Sequence, residues 1–117
     1  MTRPVTAIID GESLTGSGTP FTIVDPSNEE VIAEVPEAEE ALVDRAIASA
    51  RAAFDRGDWR RASVEQRQTV LRRCADAIDA HADEIADIEC ANTGIPYAQV
   101  RNGQVVRAAG NLRFFAD

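Results

Sequence analysis

Aromatic residues make up only 5% of this 117-residue chain, and one histidine, His81, and two cysteines, Cys74 and Cys90, are all it offers to metal or thiol chemistry. Neither cysteine sits in a C-x-x-C or C-x-x-H spacing, so no zinc ligand set can be assembled. Placed 16 residues apart on one predicted helix, the two thiols are separated by roughly 24 Å, far beyond disulfide reach. They read as buried or half-buried packing groups, and at Cys90 a helix C-terminus opposes thiolate formation. His81 adjoins an apolar stripe and reads as a boundary packing residue. No run approaches 18 apolar residues, and Met1-Thr2-Arg3-Pro4-Val5-Thr6 has no apolar targeting core. A net charge of −8 disfavours nucleic acid and anionic membranes as partners. A soluble, cytoplasmic chain of at most one domain is expected. G-x-G-x-x-G, Walker, G-x-S-x-G and H-E-x-x-H motifs are all missing, and no nucleophile is paired with a base. By motif alone there is no complete active site.

What is present is periodicity. Ser63-Val64-Glu65-Gln66 is a capping box, followed by Leu71, Cys74, Ile78, Ala82, Ile85 and Ile88 at intervals of three or four. The pattern predicts one helix over 63–92, about 45 Å long, stopped by Gly94 and Pro96. Before it, Val43, Ala46, Ile47, Ala50, Ala53 and Phe54 share a face of a helix over 39–56 that lacks a good cap residue, and Gly57-Asp58-Trp59 closes it. Trp59 is either a ligand platform or, more in keeping with its place, a packing anchor between two helices. Short strands are expected at 6–9, 21–24 and 31–35, bounded by Asp10-Gly11, Asp25-Pro26 and Pro36.

A third helix is predicted over 97–116 with Tyr97, Val100, Ala108, Leu112 and Phe115 as its stripe. Gly103 and Gly110 lie inside it, each costing about 1 kcal/mol relative to alanine. Seven residues apart, they flank Arg107, which points away from that stripe. Two readings remain open at this level: a notch in which an anion reaches the guanidinium bidentately, or close packing of another helix with Arg107 in a structural ion pair. Three apolar stripes with so little sheet to cover them imply missing partners. The last helix runs into Phe114-Phe115-Ala116-Asp117 without a stop signal. A small acidic helical module that dimerises through these stripes is one account of such a chain.

Several stretches, in order, resemble the N-terminal portion of NAD(P)-dependent aldehyde dehydrogenases. They are Ile9-Asp10-Gly11-Glu12; Asp25-Pro26-Ser27-Asn28-Glu29-Glu30-Val31-Ile32-Ala33-Glu34-Val35; Ala50-Arg51-Ala52-Ala53-Phe54 with Trp59-Arg60; Arg67 through Ile78; Glu89-Cys90-Ala91-Asn92-Thr93-Gly94-Ile95-Pro96; and Asn111-Leu112-Arg113-Phe114-Phe115-Ala116. Asp25, Asn92 and Ile95 stand where the family usually has Asn, Asp and Lys. The resemblance implies an α/β fold in which residues 1–36 supply short strands for a small sheet used in oligomer assembly. Residues 37–117 would supply helices that pack beside a Rossmann-type core. It implies oxidation of a small-molecule aldehyde to its acid with NAD or NADP, through a cysteine thiohemiacetal, hydride transfer and thioester hydrolysis. The family's glycine motif, nucleophilic cysteine and general-base glutamate all come later than position 117. The chain is therefore expected to be inactive alone, to need the remainder of the enzyme, and to work as a homo-dimer or tetramer. Cys74 and Cys90 match no catalytic position.

Two site assignments follow from the resemblance. Some members hold a structural K+ or Na+ with backbone carbonyls and an aspartate, at positions that are Ile23, Val24 and Asn92 here. The tail from Val106 to Phe115 is similar to the I-P-R-x-x-x-N-F-R-F-F pattern of the 5-carboxymethyl-2-hydroxymuconate and 2-hydroxymuconate semialdehyde dehydrogenases, with Val106 for proline. In that branch the arginine pairs with the substrate's carboxylate in the tunnel, which implies substrate-binding roles for Arg107 and Gly103. A betaine-aldehyde-type enzyme is the alternative within the family.

Overall fold

Turn chemistry builds the first elements. The computed structural model describes residues 5–117, which fall into two compact units, one ending at Arg61 and the other spanning Ala62–Asp117. In the first, β1 (Ala7–Ile9) and β2 (Glu12–Leu14) form an antiparallel hairpin with Ile9 opposite Glu12. The two loop residues, Asp10 and Gly11, have φ of 54° and 79°, as a two-residue turn of this kind requires. The pair Asp10-Gly11 was legible as a turn; β2 was not expected, because three residues without a β-branched side chain carry no strand signal. A second hairpin joins β3 (Pro20–Val24) to β4 (Val31–Pro36), with a register shift between Ile23 and Val24. Its turn is held by the Asp25 carboxylate, which accepts from the Ser27 amide at 2.8 Å and the Ser27 hydroxyl at 2.6 Å. These bonds hold Asp25 below the usual carboxylate range.

Helix α1 (Glu40–Arg56) begins without a side-chain cap on its own N–H groups, and a 3-10 turn, Asp58–Arg61, follows it. Its Ncap residue serves the neighbouring loop instead: the Glu39 carboxylate accepts the Ser17 amide at 2.8 Å. Gly16 is required there, since a Cβ would lie 2.2 Å from the Glu37 carbonyl oxygen. Arg45 reaches Glu12 at 2.6 Å, and the Ser49 hydroxyl donates to Asp10. Leu42 is buried, whereas the expected apolar face of Val43, Ile47 and Phe54 is exposed. Trp59 is 51% exposed.

In the second unit the Ser63 hydroxyl accepts from the Gln66 amide at 3.2 Å and the Gln66 side chain accepts from Ser63 at 2.8 Å, the capping box read from the sequence. The expected single helix over 63–92 is corrected to two, α2 (Val64–Ala80) and α3 (Ala82–Thr93). They meet at His81, with φ −110° and ψ 19°, in the bridge region between helical and extended backbone. The hydrogen bonds run on through the joint, from the His81 amide to Ala77 and from Ile85 to the His81 carbonyl, so nothing in the residue types announces the break. His81 itself is exposed, 3.5 Å from Glu84, and is a joint rather than a boundary packing residue. Cys74 is exposed, contrary to the burial expected of it, while Cys90 is half-buried. Gly94 ends α3 with φ 72°, the left-handed cap expected there.

The third helix spans the expected residues but is not uniform. A short α4 (Tyr97–Gln99) passes into a π turn at Val100–Gln104, and α5 (Val105–Ala116) follows. The core consists of Ala82, Ala86, Val100 and Val105, with Ile78, Ile85, Cys90 and Ile95 packed around them. Arg113 binds Asp76 and Asp79 at 2.7 Å each, and Arg72 binds Asp117 at 2.6 Å. These bonds tie α5 to α2.

Candidate functional site

The π turn decides which way the third helix faces. An uninterrupted α-helix through Tyr97 and Val100 would carry the buried side on to Ala108 and Phe115, the stripe expected from the sequence. One extra residue in the turn shifts every later position by one, so the buried residues are Val105, Ala109 and Ala116, with Leu112 half-buried. Ala108 and Phe115 are exposed, Phe115 at 76%. Tyr97, also expected in the stripe, is exposed, and its hydroxyl donates to Asp83 at 3.1 Å.

Gly103 and Arg107 stand two residues before and two residues after Val105, so both face away from the side that Val105 buries. Arg107 is exposed and makes no ion pair or hydrogen bond among the described residues. A Cβ added at Gly103 or Gly110 would meet nothing within 4 Å. Neither glycine, then, is explained by close packing within the second unit, and Arg107 is in no structural ion pair there.

Sequence reasoning missed the groups that hold this helix. The Asp83 carboxylate on α3 accepts from Tyr97 and from the Arg101 guanidinium, which together hold it below the usual carboxylate range. Only the spacing of Val100 and Val105, five residues rather than three or four, signals the π turn. Neither cysteine is placed for chemistry. Burial, with Asp87 and Glu89 nearby, pushes the Cys90 thiol up, which disfavours the nucleophilic thiolate.

The proposed cation positions fall in separate units. Ile23 and Val24 flank the register shift of β3, and Asn92 lies exposed in the last turn of α3. Among the described residues no group of three or more His, Cys, Asp or Glu could hold a metal ion, and no helix is long and apolar enough to cross a membrane.

Residues 14–117 match the model of the aldehyde dehydrogenase family. The chain is 44% identical over 101 residues to the 2-hydroxymuconic semialdehyde dehydrogenase of Pseudomonas sp. (strain CF600), covering 86% of this chain and 21% of that protein. It is 36% identical over 109 residues to the 5-carboxymethyl-2-hydroxymuconate semialdehyde dehydrogenase of Escherichia coli, covering 93% and 23%. Among solved structures, an NAD-dependent aldehyde dehydrogenase from Sinorhizobium meliloti superposes with a TM-score of 0.91 at 34% identity, over 99% of this chain and 23% of that one. The chain thus spans about a fifth of the length of the curated relatives it matches. The small acidic helical module that dimerises through its stripes is not favoured as an account of these residues, because the match runs through both units: the chain belongs to the aldehyde dehydrogenase family.

Proposed function

We propose that these residues are the N-terminal part of an enzyme that oxidises an aldehyde bearing a carboxylate, of the muconic semialdehyde kind, to its acid. Water supplies the new oxygen, and NAD or NADP, when bound, supplies the hydride acceptor. The observation that carries this reading is Arg107: an exposed guanidinium with no ion pair or hydrogen bond among the described residues, with open space at Gly103 and Gly110. A planar guanidinium left free in this way suits bidentate recognition of a carboxylate. The names of two relatives point the same way. Gly103 is assigned the role of keeping the approach to Arg107 open.

None of residues 1–117 is assigned to the cofactor or to covalent catalysis, and the chain by itself is expected not to turn over aldehydes. The residues that the resemblance assigns to a cation, Ile23 and Val24 through their backbone carbonyls and Asn92 through its amide, would offer it only uncharged oxygens. That chemistry fits weak binding of K+ or Na+ better than a divalent ion. Exposed apolar side chains on α1 support assembly with the remainder of the enzyme and into a homo-dimer or tetramer; the location proposed for it is the cytoplasm. The test is oxidation by the full-length protein of a carboxylated semialdehyde and of a neutral aldehyde of equal length. Preference for the carboxylated substrate of about tenfold or more in kcat/KM is expected; equal rates, or a preference for the neutral aldehyde, would overturn the reading.

A further inference from the structure

The π turn is held at both ends. Tyr97, before it, and Arg101, within it, are bound to Asp83 on α3; behind it, Arg113 is bound to Asp76 and Asp79 on α2. Between these anchors Val100 and Val105 are 0% and 4% exposed. In a regular α-helix, residues five apart diverge by about 140° and could not both be buried on one side. A residue seven positions on returns to within about 20° of the first, which would leave Arg107 below Val100 at the edge of the buried side rather than opposite it. The additional residue in the turn brings Val105 under Val100 instead, and Arg107 swings to the opposite side.

We propose that the π turn, fixed by the five-residue spacing of Val100 and Val105, is the positioning element that presents Arg107 to substrate. This rests on the role given to Arg107 above. Val105 touches no substrate; it sets the angle at which another residue does. π turns are rare and recur at functional sites because they reset the phase of a helix without breaking it. Ala108 and Ala109 carry the same side chain, so the packing one turn later does not choose between the two phases. Inside the turn the choice is Val105 against Gln104; further along, half-buried Leu112 and the Arg113 bonds to Asp76 and Asp79 hold the same phase.

The direct test exchanges those two residues in the full-length protein, Gln104→Val with Val105→Gln, restoring four-residue spacing after Val100. Two readouts follow the turn. With Arg107→Cys as a reporter, maleimide labelling at that position, read by peptide mass because Cys74 is also exposed, should slow about tenfold in the exchanged background, since the side chain turns toward the buried side. With Arg107 intact, KM for a carboxylated semialdehyde should rise about tenfold, while kcat and the KM for a neutral aldehyde change less than about twofold. Unchanged labelling together with unchanged KM overturns the proposal. Should the exchange abolish cooperative melting, Val105→Ala serves in its place: labelling slowed by about twofold supports the proposal, and unaltered labelling defeats it. The two ideas fail separately. If Arg107→Ala without the exchange leaves carboxylated substrates unaffected, the role of Arg107 falls, and labelling still decides whether the turn sets its angle.

Discussion

The two units of this chain solve the problem of a small core differently. Of the ten buried apolar residues among those described, seven belong to the second unit: Ala75, Ala82, Ala86, Val100, Val105, Ala109 and Ala116. Five of the seven are alanines, so close approach of helix backbones replaces bulk, and charged pairs such as Arg113 with Asp76 and Asp79 frame the contact. The first unit buries Ile9, Ala33 and Leu42 and leaves Ile47 and Phe54 at 62% and 59% exposure. It is held by turns and by polar bonds from α1 to the first hairpin. The first unit leaves an apolar face of α1 exposed at Ile47 and Phe54, and the second, although it has the larger interior, exposes Phe114 and Phe115 at the end of α5. Surfaces of that kind mark contact sites.

A charge placed in each unit should have opposite consequences. Val100→Asp should abolish cooperative folding of the second unit, since an unpaired carboxylate in that interior has no partner. Ile47→Asp in the 117-residue chain should shift stability by no more than about 0.5 kcal/mol, as exposed substitutions do. Chemical denaturation followed by circular dichroism reads both. A large loss from Ile47→Asp would mean that the α1 face is covered within this chain after all.

A smaller effect sharpens the picture of the second unit. Asp83 has its carboxyl lowered by the hydrogen bonds from Arg101 and Tyr97. A group lowered in the folded state contributes stability above its ordinary value, and that contribution disappears as pH falls through the lowered one. The stability difference between the parent and Asp83→Asn should therefore be present at neutral pH and vanish in acid. A difference that persisted in acid would point to a cause other than the ionised carboxylate.

These features differ in how far the sequence revealed them. Ser63 with Gln66, Gly94 and Asp10-Gly11 carry their geometry in residue type, and each does what its type requires. His81 adopts a bridge conformation open to almost any residue, so the joint between α2 and α3 left no trace in the periodicity. The phase of the third helix was hidden for another reason. Ala108-Ala109 and Phe115-Ala116 offer an apolar residue in either register, and a count of intervals cannot see which is buried. Arg107 faces away from the helix's buried side, as its spacing indicated, but that side lies one residue further on than periodicity indicated. Asp83 and Arg101 stand 18 residues apart in the chain, and only the fold brings them together.

The account depends on a single guanidinium meeting a carboxylate, so the most direct measurement is substrate selectivity in full-length Arg107→Ala. The ratio of kcat/KM for a carboxylated semialdehyde over a neutral aldehyde should collapse by about tenfold to a hundredfold, as expected when a charge-assisted hydrogen bond is lost, with the neutral substrate nearly unaffected. An unchanged ratio would contradict it.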